Sequence, residues 1–183
     1  MRRRAQLKAL RPDLEVVPLR GNLPTRLRKL ESGGLDALIL AVSGLERLGL
    51  AARIDERIAP ELMLPAVGQG VLAVEGRVGD AISRDVAGLS DERTVRCIAA
   101  ERSFLAGLGG DCSTPLAALA EHTPAGALRL RALLASSDGR RMARYDGESR
   151  PEEAAALSAA AAESVLADGG QALLETLHGE AQA

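Results

Sequence analysis

The stretch Leu35 to Leu50 reads LDALILAVSGLERLGL, and its first eight residues hold one polar side chain, Asp36. A run so short and so apolar fits a strand inside a parallel sheet covered on both faces, where alternation vanishes because neither face meets water. The period then changes. SGLERLGL opens a short helix, with Ser43 and Glu46 in the register of a capping box. Upstream the same order recurs. LEVVPL (Leu14 to Leu19) reads as a strand, and RGNLPTRLRKLESGG begins as a turn and becomes a helix on Leu23, Leu27 and Leu30, stopped by Gly33 and Gly34. Ahead of it, Leu7 and Leu10 give a short helical face closed by Pro12. This β-α-β-α order predicts a doubly wound α/β unit.

Downstream the pattern is different. LPAVGQGVLAVEGR (Leu64 to Arg77) reads as a glycine-containing loop followed by an apolar strand that leaves the first unit, and VGDAISRDVAGLSD as a helix and linker. From Glu92 a helix runs to about Leu108. Strands follow near Pro115 to Glu121, Leu128 to Ser136 and Arg141 to Asp146, the last after the turn SSDGR. An Ala-rich helix from about Glu152 to Leu166 and another from Gln171 to Leu177 close the chain. Grouped strands with helices at either end predict a small α+β domain with a three-stranded antiparallel sheet.

Composition narrows the function. The 183 residues are enough for one ordinary domain or two small ones. With 23 basic and 25 acidic residues, bulk charge attracts neither nucleic acid nor an anionic membrane. Trp is absent and Phe104 and Tyr145 are the only aromatics, so there is no platform on which single-stranded bases would stack. No apolar run approaches a membrane span, and the basic start MRRRAQLKALRPDL lacks the apolar stretch of a signal peptide. The expectation is a cytoplasmic protein with no nucleic-acid and no membrane partner, in which Cys97 and Cys112 are unpaired.

Arginines stand where a helix start favours acids. Helix N-termini carry partial positive charge, yet Arg20 and Arg26 flank the turn RGNLPTR, whose Gly21, Asn22 and Pro24 suit a positive φ, a cap and a first helical turn. Guanidinium groups beside such an end repel unless an anion lies between them, which makes a carboxylate or phosphate site. Arg47 repeats the arrangement just past the next strand, at the edge where open α/β sheets bind ligands, and Arg2 and Arg3, near the first helix, are candidates to join. Arg28, Lys29 and Arg53 read as solvated.

Cys112 lies in GLGGDCSTPLAAL, between glycines that admit close approach and Pro115, which stops a helix. Such a thiol serves as nucleophile, metal ligand or anchor. His122 and His178 have no Cys or His partner at ligand spacing, so metal is not expected; a pairing of Cys112 with His122 in space stays open. Cys97, among apolar helical neighbours in TVRCIAAERSFL, reads as a buried small hydrophobe.

Five segments, in order and at these spacings, carry a resemblance over essentially the whole chain: Arg2–Arg3, LRGNLPTRLRKL, LDALILAVSGLERLGL, LPAVGQGVLAVE and AERSFLAGLGGDCSTPLAA. Together they resemble the porphobilinogen deaminase (hydroxymethylbilane synthase) family. The resemblance implies a transferase of tetrapyrrole (heme) biosynthesis that condenses four porphobilinogen units into hydroxymethylbilane with release of ammonia. It implies a dipyrromethane cofactor attached covalently through Cys112. Arg2, Arg3, Arg20, Arg26 and Arg47 then bind the acetate and propionate groups of cofactor and substrate, with Gln69 near the cleft. The partners implied are porphobilinogen and oligopyrrole intermediates.

The resemblance also divides the chain. Residues 1–65 fall in an arginine-lined, periplasmic-binding-protein-like α/β domain, incomplete here. Residues 66–90 are a strand and helix returning to another domain, plus a linker, and 91–183 are the C-terminal α+β domain with the cysteine loop. The family's aspartate that assists ammonia loss matches no position, so no catalytic acid or base is named. The expectation is a fragment, inactive alone, its returning strand left with an apolar face either exposed or re-packed, and monomeric when completed. Two other classes compete: a non-catalytic anion-binding module that keeps the arginines, and a thiol hydrolase built on Cys112.

Overall fold

The computed structural model describes residues 1–110 and 114–182, apart from the side chains of 84, 178 and 180–182. Seven α-helices are assigned among these residues: α1 (Arg2–Leu10), α2 (Leu23–Glu31), α3 (Val42–Arg47), α4 (Ala81–Ala87), α5 (Glu92–Gly107), α6 (Ala154–Val165) and α7 (Gln171–Gln182). Three strands, β1 (Leu116–His122), β2 (Leu128–Ala135) and β3 (Met142–Ser149), form an antiparallel sheet in the order β1-β2-β3.

The sheet follows from its pattern. Leu116, Ala118 and Ala120 of β1, with Leu128, Leu130, Ala132 and Leu134 of β2, point to one face and meet Ala100 and Phe104 of α5, Leu157, Ala161 and Val165 of α6, and Leu173 of α7. The alternate residues Ala117, Leu133 and Ala135 form a second, smaller core with Ala5 of α1 and Leu64. Both faces of this sheet are therefore covered, which explains why β2 is buried nearly end to end. Ser158 fixes α6 on α5 by donating to the Ala100 carbonyl at 3.0 Å. α6 and α7 join through a kink at Gly169.

Helix α1 rests against this sheet at a point that only glycine allows. Gly139, in the β2–β3 turn, has φ +75°, and a Cβ there would fall onto the carbonyl oxygen of Ala5. On the same face, Arg131 is buried and bridges Glu61 (2.6 Å) and Glu121, tying the segment before Leu64 to β2.

The first half departs from the sequence reading. Leu14–Leu19 and Leu35–Ala41 enter no ladder, and among the described residues β1–β3 are the only strands. A strand is made by its neighbour, and neither run forms a backbone ladder with any described segment. The doubly wound arrangement is thus absent among the described residues; two short helices and extended connections stand in its place. The capping box at Ser43 does not form either: α3 begins one residue earlier, at Val42, with Ala41 as its cap and no side-chain bond. The turn before α2 does follow expectation. Asn22 Oδ1 accepts from Thr25 N at 3.0 Å, Pro24 sits in the first turn, and Gly21 has φ +123°. After Gly70, the apolar run stays in water, with Leu72 at 74% and Val74 at 69% exposure. Of the exposed and re-packed alternatives, this run shows the exposed one.

Candidate carboxylate-binding cleft

The apolar run that makes no strand makes a wall instead. Leu38, Ile39 and Leu40 line a cleft of about 610 Å³ that Arg2, Arg3, Gln69 and Gly70 also line. Two elements deliver those polar groups. Arg2 and Arg3 come from the first turn of α1, which is held by Gln6: its buried carboxamide accepts from Leu64 N at 2.8 Å and donates to the Leu64 carbonyl at 3.0 Å. Gln69 comes from the loop 65–70, which lies along the outer edge of β1. There Ala118 N donates to the Pro65 carbonyl at 3.3 Å, and Ala120 N and Gly68 N both donate to the carboxylate of Glu101 on α5, at 3.0 and 2.7 Å.

The sequence-selected residues divide by distance from this cleft. Arg3 Nη2 donates to Gln69 Oε1 at 3.0 Å, so these two meet. Arg47 reaches the rim from α3, donating to the Gly70 carbonyl at 3.0 Å. Arg26 folds back to the Gly21 carbonyl at 2.8 Å, and its charge is still felt at Arg3. Arg20 is exposed beside the α2 turn and does not line the cleft. Cys112 lies outside the described residues, so its loop is not placed against the cleft here.

The described arginines divide by whether a carboxylate meets them. Among the described residues, Arg11, Arg53, Arg57, Arg96, Arg129, Arg131, Arg140 and Arg150 all meet a carboxylate within 4 Å. None of Arg2, Arg3, Arg20, Arg26 and Arg47 appears in such a pair, a property shared with Arg4, Arg28, Arg77, Arg93, Arg102, Arg141 and Arg144; Arg2 and Arg3 differ from the rest in lining the cleft. Burial, then the charges of Arg2 and Arg26, pull Arg3 below the ordinary guanidinium range, yet an arginine keeps its proton at any working pH. Arg2 Nε is buried without an acceptor. Arg2 and Arg3, with the orphaned Arg2 Nε, share the cleft with Asp36, Glu46, Asp55 and Glu56 as well as with its apolar residues; the two guanidinium groups fit a ligand with carboxylates on an apolar ring.

Four contributors were missed by sequence reasoning. Arg53 and Asp36 line the cleft, although Arg53 spends its charge on Glu31 at 2.7 Å. Gln6 and Glu101 hold the two elements that deliver its polar groups, and the only sequence signal for either is a polar residue at a buried helical position. Cys97 is a half-buried free thiol packed against the main core, and burial pushes it up, away from thiolate. No group of three or more His, Cys, Asp or Glu among the described residues is arranged for a metal. No helix among them is long and apolar enough to cross a membrane.

Comparison with known proteins agrees with the chemistry of this cleft. Residues 1–85 match the family profile described as "Porphobilinogen deaminase, dipyromethane cofactor binding domain", and residues 95–167 that of the porphobilinogen deaminase C-terminal domain. The chain belongs to the porphobilinogen deaminase family. The porphobilinogen deaminase of Ralstonia nicotianae is 48% identical over 185 residues, covering 99% of this chain and 55% of the relative. That of Roseiflexus sp. is 47% identical over 175 residues (95% and 57%), and that of Sorangium cellulosum 51% over 147 residues (80% and 49%). The chain thus spans about half the length of the curated relatives it matches.

Proposed function

We propose that the chain supplies the cofactor- and substrate-binding part of a hydroxymethylbilane synthase, a transferase that condenses four porphobilinogen units with release of ammonia. The observation that carries this reading is that Arg2 and Arg3, without a carboxylate partner among the described residues, line a cleft with Leu38, Ile39 and Leu40, within the segment matched by the cofactor-binding profile. Arg2 and Arg3 receive carboxylates directly. Gln69 orients Arg3, Arg47 holds the Gly70 side of the rim, and Arg26 and Arg20 add positive charge from the α2 turn. Leu38 and Leu40 give the pyrrole rings an apolar wall and exclude water, which strengthens each carboxylate contact. The dipyrromethane, bound through Cys112, supplies the anchored pyrrole from which the chain grows.

Residues 1–65 are read as part of a periplasmic-binding-protein-like α/β domain, 66–90 as a strand and helix returning to another domain plus a linker, and 91–183 as the C-terminal domain. The protein is read as a cytoplasmic monomer whose partners are porphobilinogen and oligopyrrole intermediates. Calorimetric titration with porphobilinogen tests the cleft. The chain should bind it, and Arg3→Leu should weaken binding by about tenfold or more, the equivalent of one charge-assisted pair. Binding unaffected by Arg2→Leu and Arg3→Leu together would contradict the reading.

A further inference from the structure

Three consecutive residues of one loop are each tied to a different helix. Gly68 N donates to Glu101 of α5 at 2.7 Å, Gln69 Oε1 accepts from Arg3 of α1 at 3.0 Å, and the Gly70 carbonyl accepts from Arg47 of α3 at 3.0 Å. We propose that Glu101 is a positioning residue for the arginine cleft: by clamping Gly68 to the free edge of β1, it fixes Gln69 and thereby the direction in which Arg3 presents its guanidinium.

The geometry makes the clamp specific to a carboxylate. Its two oxygens each take one backbone N–H, Oε2 from Gly68 and Oε1 from Ala120, and the side chain is 5% exposed. A carboxamide has one acceptor oxygen, so its NH₂ would face the second N–H, donor against donor. A carboxylate is a costly group to bury for packing alone, since an apolar residue would fill the same space without desolvating a charge. The loop has few other attachments. Val67 packs on the main core and Pro65 bonds Ala118, but the described backbone bonds of Gln69 and Gly70 stay within their own turn apart from the Arg47 contact. Arg3 in turn has Gln69 as its one described hydrogen-bond acceptor. The clamp therefore acts at a distance of two links, on the orientation of a group that would touch ligand.

This inference rests on the reading of the cleft as a carboxylate site, and its test separates the two. In the purified full chain, Glu101→Gln should speed Gly68 amide exchange at least about tenfold and broaden or shift the Arg3 side-chain Nε–H signal, while amides of Leu128–Ala135 keep their protection. Porphobilinogen affinity should fall by about tenfold. A merely structural role would loosen the sheet amides together with the loop. Gln69→Ala cuts the next link and serves if Glu101→Gln fails to fold: the Arg3 signal should move while Gly68 stays protected. Unchanged Gly68 exchange in Glu101→Gln, or an unchanged Arg3 signal in Gln69→Ala, overturns the proposal. If both signals respond and the unsubstituted chain binds no porphobilinogen, the positioning role stands and the function proposed for the cleft falls.

Discussion

Arg3 is half-buried, feels the charges of Arg2 and Arg26, and meets no carboxylate among the described residues. A group in that position is a cost to the fold until a ligand arrives. Arg3→Leu should therefore leave the thermal midpoint unchanged or raise it slightly, while ligand affinity drops; a loss of several kcal/mol of stability would show that Arg3 is there for the fold. Glu101 predicts a pH dependence. Burial is the largest influence on it and raises its carboxyl above the ordinary value; the Gly68 and Ala120 N–H groups oppose this, and Glu121 adds to it. A carboxyl raised in the folded state binds protons more readily there than in the unfolded chain. Its contribution is thus fully present below the unfolded value of about 4.3 and is lost as pH rises through the folded one. The difference in unfolding free energy between the native chain and Glu101→Gln should fall with rising pH across that window; a difference that is flat there would rule out the burial of the charge.

At the scale of elements, the C-terminal sheet was legible and the first half only partly so. β1 to β3 were read within a few residues because their alternation, and a turn with Gly139 at positive φ, are local signals that their own neighbours in sequence satisfy. Leu35–Val42 carries an equally strong apolar signal, but whether it becomes a strand depends on a partner the pattern cannot supply. Ser43 failed as a cap because α3 starts one residue before it. The arginines were found by charge in the wrong place, whereas Gln6 and Glu101 were not, since their roles depend on backbone groups 58 and 33 residues away. Packing predictions belong here too. Phe104→Ala, at a fully buried position, should cost about 3–5 kcal/mol and unfold the sheet domain cooperatively. Gly139→Ala should cost about 1–3 kcal/mol from φ alone and, by pressing on Ala5, should shift α1 and with it Arg2 and Arg3. Hydrogen exchange should be faster across Leu14–Val42, which lacks a ladder, than across Leu128–Ala135; equal protection would mean that the first half pairs after all.

Across the whole molecule, α1 with Arg2 and Arg3 meets the C-terminal sheet directly through Ala5 and also by way of the loop 65–70, and the function proposed above adds a tether at Cys112. The most direct measurement joins this chain to the part of the Ralstonia nicotianae relative outside the matched stretch, purifies the product, and determines by peptide mass spectrometry which thiol carries a dipyrromethane. The account predicts the adduct on the Cys112 peptide, none on the Cys97 peptide, and loss of both adduct and hydroxymethylbilane formation in Cys112→Ser. An adduct on Cys97, or undiminished hydroxymethylbilane formation by Cys112→Ser, would contradict it.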